Sequence, residues 1–248
     1  MGMSQNQKEY KGEVMATKPS GRTVYKDSQG NRLPGVTTII GVLAKPQLIT
    51  WANRMGLQGI DTTKYVDDLA DVGILAHHLV LCRHKKVIPD VSDFSAHQIE
   101  LAGNCLASYE NWEQHHTIEP LLVEESLVSE TLKYGGTPDL YCKMDGVRTL
   151  LDFKTGKALY DEVMYQLAAY RNLLIEHYNP VEQCVALRIG RDDNEGFEVK
   201  NGRDMDAAYN IFLNCLGLYY GIRDYKKEGK VTAIRKQAEK DIEELWPE

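Results

Sequence analysis

The chain has 248 residues, 43% of them hydrophobic, and a formal net charge of −7. That apolar content supports a sizeable core, as one large domain or a domain with an appended lobe, while no apolar stretch reaches the roughly 18 residues that span a bilayer and Met1 to Ser20 lacks the apolar segment of a secretory signal, so a soluble cytoplasmic protein is expected. The acidic balance argues against a binder that neutralises phosphates over its whole surface, and five widely spaced cysteines without a CxxC pair exclude a disulfide framework or zinc ribbon and read as reduced, mostly buried thiols.

Residues 1–17 are polar and lysine-containing, as in a flexible tail. Thr23 to Tyr25 and the turn Asp27-Ser28-Gln29-Gly30-Asn31 predict a small hairpin. Thr37-Thr38 ahead of Ile39, Ile40, Val42 and Leu43 predict a capped helix stopping at Pro46, followed by a helix over Leu48 to Leu57. From Tyr65 to Cys82, Val66, Leu69, Gly73, Ala76 and Val80 recur at helical spacing, which puts His77 on or beside the buried stripe. Ser95 to Trp112 repeats that period through Ile99, Ala102, Leu106 and Tyr109. A strand over Leu121 to Val128, a hairpin turning at Asp145-Gly146, a helix over Asp161 to His177 and a strand over Val185 to Ile189 come next. The order is α, β, β, β, α, β. A short strand at Phe197 to Val199 and a helix over Asp204 to Tyr225 follow; Lys226 to Lys230 reads as a charged break, and Val231 to Leu245 as a polar terminal helix.

The hairpin carries the chemistry. Asp-Gly favours a two-residue type I′ turn, because both central positions need positive φ. Such a turn places Met144 opposite Val147 and Asp139 opposite Asp152. Alternation then puts Asp139, Tyr141, Lys143, Arg148, Leu150, Asp152 and Lys154 on one face and Leu140, Cys142, Met144, Val147, Leu151 and Phe153 on the other, so one face is expected to be core and the other chemistry. Opposed carboxylates about 5 Å apart at Cβ repel unless a cation lies between them or one is protonated. A hard ion such as Mg²⁺ suits them, and Lys154 adds an ammonium on the same face that can stabilise an attacking hydroxide or developing phosphorane charge. The bland alternative is an ordinary hairpin with a solvated polar face. Lys133, Lys143, Arg148, Lys157 and Arg171 cluster in sequence around the pair.

Gly135-Gly136-Thr137-Pro138-Asp139, Leu151-Asp152-Phe153-Lys154-Thr155-Gly156, Gln166-Leu167-Ala168-Ala169-Tyr170 and the upstream Gly73-Ile74-Leu75-Ala76-His77, in this order of elements, resemble the PD-(D/E)xK nuclease superfamily in its RecB-like exonuclease branch. Pro138-Asp139 matches the PD half, Asp152-Phe153-Lys154 the (D/E)xK half, Gln166 with Tyr170 the QxxxY motif, and Gly73 with His77 the GxxxH helix. Leu33-Pro34-Gly35-Val36-Thr37-Thr38 and Trp51-Ala52 look, more loosely, like a segment of phage-encoded and mitochondrial single-strand exonucleases. His78 stands where the branch often has an acid, and the cysteine spacing does not support the iron–sulfur cluster of some members.

The resemblance implies a restriction-endonuclease-like α/β core, an αβββαβ mixed sheet flanked by helices, with helical additions at both ends. It implies one nuclease domain over residues 18–226, with its core at about 65–190, and a charged helix over 227–248. His77, Asp139, Asp152 and the Phe153 carbonyl would bind one or two Mg²⁺ or Mn²⁺ ions, the imidazole favouring Mn²⁺ somewhat. Lys154 would position or deprotonate the attacking water, and Gln166 and Tyr170, sharing a helix face, would orient Lys154 or touch the substrate backbone. Packing roles remain the alternative for His77, Gln166 and Tyr170. One of Glu124 and Glu125 can face the site from the first core strand, while His78, His84, His115 and His116 are expected at the surface or in a satisfied core. The implied activity is exonucleolytic hydrolysis of DNA at ends or in single strands, in the cytoplasm of a host if phage-encoded, with a recombination or replication protein as a possible partner. A structure-selective endonuclease, which would cut closed circular DNA, and a non-catalytic nucleic-acid-binding subunit are the alternatives.

Overall fold

The computed structural model of the chain describes residues 16–19, 23–192 and 194–245. In chain order the elements are β1 (Ala16–Thr17), β2 (Tyr25–Lys26), β3 (Arg32–Leu33), α1 (Val36–Ile40), α2 (Pro46–Leu57), α3 (Thr62–Lys85), β4 (Ile88–Pro89), α4 (Ala96–Glu113), β5 (Ile118–Val123), β6 (Leu127–Ser129), β7 (Tyr134–Gly136), β8 (Leu140–Met144), β9 (Val147–Lys154), α5 (Glu162–Glu176), β10 (Gln183–Ile189), β11 (Phe197–Asn201) and α6 (Met205–Leu245). The main sheet runs β11-β10-β9-β8-β5, with β9 and β10 parallel and the other pairs antiparallel. Helices cover both faces. This is the mixed α/β arrangement expected of a restriction-endonuclease-like core. Among the described residues no helix is long and apolar enough to cross a membrane.

The β8–β9 register is the expected one: Met144 pairs with Val147 and Leu140 with Leu151. Asp145 at φ 53° and Gly146 at φ 85° supply the two left-handed residues that a type I′ turn requires. Asp145 also ties the turn to the start of β5. Its N–H donates to Thr117 O at 2.9 Å, and its Oδ1 accepts the Thr117 N–H at 2.8 Å.

The two faces of the hairpin are both core, which corrects the expectation of one core face and one chemical face. Leu140, Cys142, Leu151 and Phe153 pack with Leu75, Val80, Tyr109 and Trp112 of α3 and α4. On the opposite face Tyr141, Leu150, Cys184 and Ala186 pack with Ile39, Leu173 and Phe212 of α1, α5 and α6. A central strand of a sheet with helices on both sides has no solvated face, so the polar chemistry is confined to strand ends.

Local chemistry explains most helix boundaries. Asp61 caps α3 through the N–H groups of Thr63 and Lys64, and Ser95 and Gln98 form a reciprocal capping box on α4. Thr37 and Thr38, expected to precede and cap a helix, lie inside α1; Gly35 is its N-cap, and Pro46 opens α2 instead of closing α1. The first core strand is not continuous over Leu121 to Val128, because Glu124 takes φ 56° and separates β5 from β6. No break occurs at Lys226 to Lys230: α6 continues as one helix to Leu245. Lysine and glutamate are good helix formers, and the single Gly229 costs only about 1 kcal/mol. Ala16–Thr17, at the end of the expected tail, pair in parallel with Ile88–Pro89; residues 1–15 and 246–248 lie outside the described residues.

Candidate active site

Three segments meet at one end of the main sheet. Asp139 is the residue before β8, Asp152 and Lys154 end β9, and α3 and α5 bring His77, Gln166 and Tyr170 alongside. The Phe153 N–H donates to Asp139 Oδ2 at 2.8 Å, which fastens the first acid to the strand that bears the second. His77 Nδ1 lies 3.3 Å from the same oxygen. Gln166 Nε2 donates to Asp152 Oδ1 at 3.3 Å and to the Tyr170 hydroxyl at 3.0 Å. All the residues expected to share the site are therefore brought together, and Gln166 reaches an acid and not Lys154.

Asp152 is 1% exposed. Lys154 Nζ closes on its Oδ2 as an ion pair, and no other donor reaches that oxygen. Burial, together with the neighbouring Asp139 charge, raises the Asp152 carboxyl above its ordinary range despite the Lys154 ammonium. Asp139 moves the opposite way. Burial would raise it, but the His77 imidazole, the Lys154 ammonium and the Phe153 N–H together hold it low. His77 is correspondingly raised: burial disfavours its cation, and the Asp139 carboxylate outweighs that. The two acids are thus shifted in opposite directions, Asp139 down and Asp152 up. The Tyr170 phenol is driven well above its usual value, first by burial and then by the Asp152 charge.

Two glycines make the approach of these elements possible. A Cβ on Gly73 would stand 3.0 Å from Thr155 Oγ1, so the α3 turn carrying His77 comes close to the segment after Lys154. At Gly136 a Cβ would meet Tyr170 Cε1 at 2.5 Å, so the strand leading to Asp139 runs directly under the Tyr170 ring.

No protein-family model matches the chain, and no characterised protein matches it in sequence. Among solved structures, an alkaline exonuclease (LHK-Exo) from Laribacter hongkongensis is similar over 66% of this chain and 84% of that one, at 15% identity and a TM-score of 0.37. LHK-Exo in complex with dAMP is similar over 64% and 82%, at 14% identity and a TM-score of 0.31. Likeness this distant leaves function to be argued from the site's own chemistry.

Two carboxylates and an imidazole are a donor set for a hard or borderline divalent cation, and the buried Asp152 Oδ2, met only by the Lys154 ammonium, is an oxygen that such a cation could take over. The residues therefore fit a metal ion. Among the described residues no three His, Cys, Asp or Glu side chains already stand in ligating geometry, since His77 is turned to Asp139 and Asp152 to Lys154. Those two contacts would have to open for an ion to enter. Beside His77 lies a cavity of about 300 Å³ lined also by Gly73, Ile74, His78 and Glu124. Of the two adjacent glutamates it is Glu124 that reaches this side, where its Oε2 also takes Lys85 Nζ at 2.8 Å.

Three of the five cations clustered in sequence are paired with other acids. Lys133 pairs with Glu130 at 2.9 Å and Asp27 at 3.3 Å, Lys143 lies 3.9 Å from Glu119, and Arg171 takes Asp206 at 2.7 Å. His78 and His84 are satisfied core residues, as expected, bonding Thr17 O at 2.7 Å and the Tyr109 hydroxyl at 2.6 Å. One contributor was not foreseen. The Tyr25 hydroxyl bonds Thr137 Oγ1 at 3.0 Å, two residues before Asp139, and its ring lies over Gly135. Gly135-Gly136 is the signal that could have revealed it, as adjacent glycines invite aromatic cover.

Proposed function

We propose that the protein is a metal-dependent nuclease that hydrolyses DNA phosphodiesters, acting as an exonuclease on ends or single strands. The observation that carries this is the convergence of Asp139, Asp152 and Lys154 on one hairpin end, with Asp152 buried and its Oδ2 met by the Lys154 ammonium alone. Two acids and a lysine gathered at a buried strand end are costly to desolvate, and a bound cation would offset that cost.

His77, Asp139 and Asp152 would hold Mg²⁺ or Mn²⁺, with the Phe153 carbonyl as a further donor implied by the resemblance. When bound, the ion supplies Lewis acidity and a water of lowered pKa. The chain's own residues do the rest. The Phe153 N–H keeps Asp139 oriented, and Gln166 holds one Asp152 oxygen while the other, paired with Lys154, would turn to the ion. The Lys154 ammonium is 26% exposed at the rim, where it can meet a phosphate oxygen and stabilise the charge that develops on it. Burial by Phe153 and Tyr170 lowers the local dielectric, which strengthens each of these interactions. The preference for an exonuclease, a cytoplasmic setting and work beside recombination or replication proteins follows the family resemblance alone.

The test is a time course on end-labelled linear single-stranded, linear duplex and covalently closed circular DNA with Mg²⁺ or Mn²⁺. Metal-dependent degradation of linear strands with the circle intact is expected. Cutting of the circle would replace the exonuclease with an endonuclease, and no hydrolysis of any substrate would overturn the proposal.

A further inference from the structure

A groove of about 620 Å³ is walled by Tyr25 and the rest of the β2–β3 ribbon on one side and α6 on the other. Its lining includes Arg32, Arg223, Tyr219 and the hydroxyls of Thr23, Thr37 and Thr38, and no acidic residue lines it among the described residues. On a chain of net charge −7 that is an unusual composition. Arg32 is exposed and makes no ion pair among the described residues, while Arg223 lies 4.3 Å over the Tyr220 ring and shares Asp224 Oδ1 at 3.3 Å.

A further cation, Lys26, stands beside Arg32 just outside the groove's lining. Lys26 pairs directly across from Arg32 on the ribbon, so two cations share one of its faces. Like charges at directly opposed positions destabilise an antiparallel pair. A phosphate chain passing over them would reverse the sign.

The groove also communicates with the acids through backbone. Pro34 O accepts the Gly135 N–H at 3.0 Å, and Gly35 bridges Gly135 in parallel. Tyr25 forms part of the wall and bonds Thr137, two residues from Asp139. The groove floor and the strand delivering the first acid are therefore one hydrogen-bonded unit.

We propose that this groove holds a single-stranded nucleic acid, with Arg32 and Arg223 on phosphates and Tyr219 as a stacking surface for a base. A stacking ring beside cations is how strands are held without sequence readout. Delivery of that strand to the acids rests on the nuclease reading; occupancy of the groove does not.

The experiment separates the two. Binding of a fluorescein-labelled oligothymidylate is followed by anisotropy in EDTA over a range of salt, so no hydrolysis enters. Arg32→Glu with Arg223→Glu should weaken binding at least about tenfold and make the slope of log K against log salt shallower by about 1.4, the value for two single-strand phosphate contacts. Tyr219→Ala should weaken it about five- to a hundredfold. Because Arg223 is half-buried, the exposed Arg32→Glu alone serves as the variant whose folding is not at stake, and it should halve the change in slope. Unchanged affinity and slope in Arg32→Glu, or tighter binding of the duplex than of the strand, would overturn the groove. Intact binding by a parent protein that hydrolyses nothing would instead sink the nuclease reading and leave the groove standing.

Discussion

Replacing Asp152 by asparagine should make the metal-free protein more stable. The carboxylate is 1% exposed, and burial with the neighbouring Asp139 charge outweighs the Lys154 ammonium in raising its pKa. The charged form is therefore disfavoured in the fold, and a neutral isostere should recover about 1–2 kcal/mol. In a chain of this length each 1 kcal/mol moves the melting temperature by about 2–4 °C, so the gain should be about 2–8 °C. The pH dependence has a definite sign. Because the native Asp152 carboxyl is raised, its contribution to stability is full below the ordinary carboxyl value and is lost as pH rises through the raised one. The asparagine advantage is therefore largest at neutral pH and above, and fades on acidification toward about pH 4. Melting curves in EDTA and in saturating Mn²⁺ provide the assay. The parent should gain about 2.7 kcal/mol at a hundredfold excess of Mn²⁺ over its Kd while the variant gains little, so the order of the two melting temperatures reverses. A variant that melts below the parent in EDTA would refute the account of Asp152, and an order that Mn²⁺ does not reverse would refute the cation site.

Lys154→Ala should lower hydrolysis of a labelled single strand by about 10²- to 10³-fold while the Mn²⁺-dependent melting shift persists; unchanged turnover would remove its role in charge stabilisation. Gly136→Ala would place a methyl 2.5 Å from Tyr170 Cε1 and 2.9 Å from Leu173 Cδ1, both buried, and should cost about 1–3 kcal/mol by urea denaturation. A cost below about 0.5 kcal/mol would show that Tyr170 moves freely. The His77 cation, favoured by Asp139, contributes stability that is full below the ordinary histidine value and is lost as pH rises through the raised one. A cation must displace that proton, so the Mn²⁺-dependent melting shift should grow between about pH 6 and pH 8. A shift independent of pH would exclude His77 as a ligand.

The hairpin was legible because its determinants are local. Asp145-Gly146 specifies the turn, and alternation from that turn places Asp139 and Asp152 without further information. The capping box at Ser95 and the helical period around His77 are local in the same way. What escaped depends on contacts distant in sequence. Lys143 and Arg148 near the turn make one face look solvated, yet Tyr141 and Leu150 on that face are buried by α1, α5 and α6. The bend at Glu124 is a left-handed residue whose own sequence is compatible with strand. Tyr25 reaches Thr137 across 112 positions, and the pairing of Gln166 with Asp152, in place of Lys154, depends on how α5 packs.

The turn at Asp145-Gly146 lies at the opposite end of the hairpin from the acids, yet it constrains them. Thr117 grips it through two hydrogen bonds, and His116 Nδ1 adds a third contact at 2.7 Å from Asp145 Oδ2. With both strands sheathed on either side, the loss or gain of one residue here cannot be absorbed by sliding, since a slip of one position turns every side chain over. Asp152 would exchange places with a core residue such as Phe153, and Lys154 would leave the rim. Length at this surface bend is thus under the same constraint as the identity of the acids themselves, although neither bend residue comes near the reacting centre.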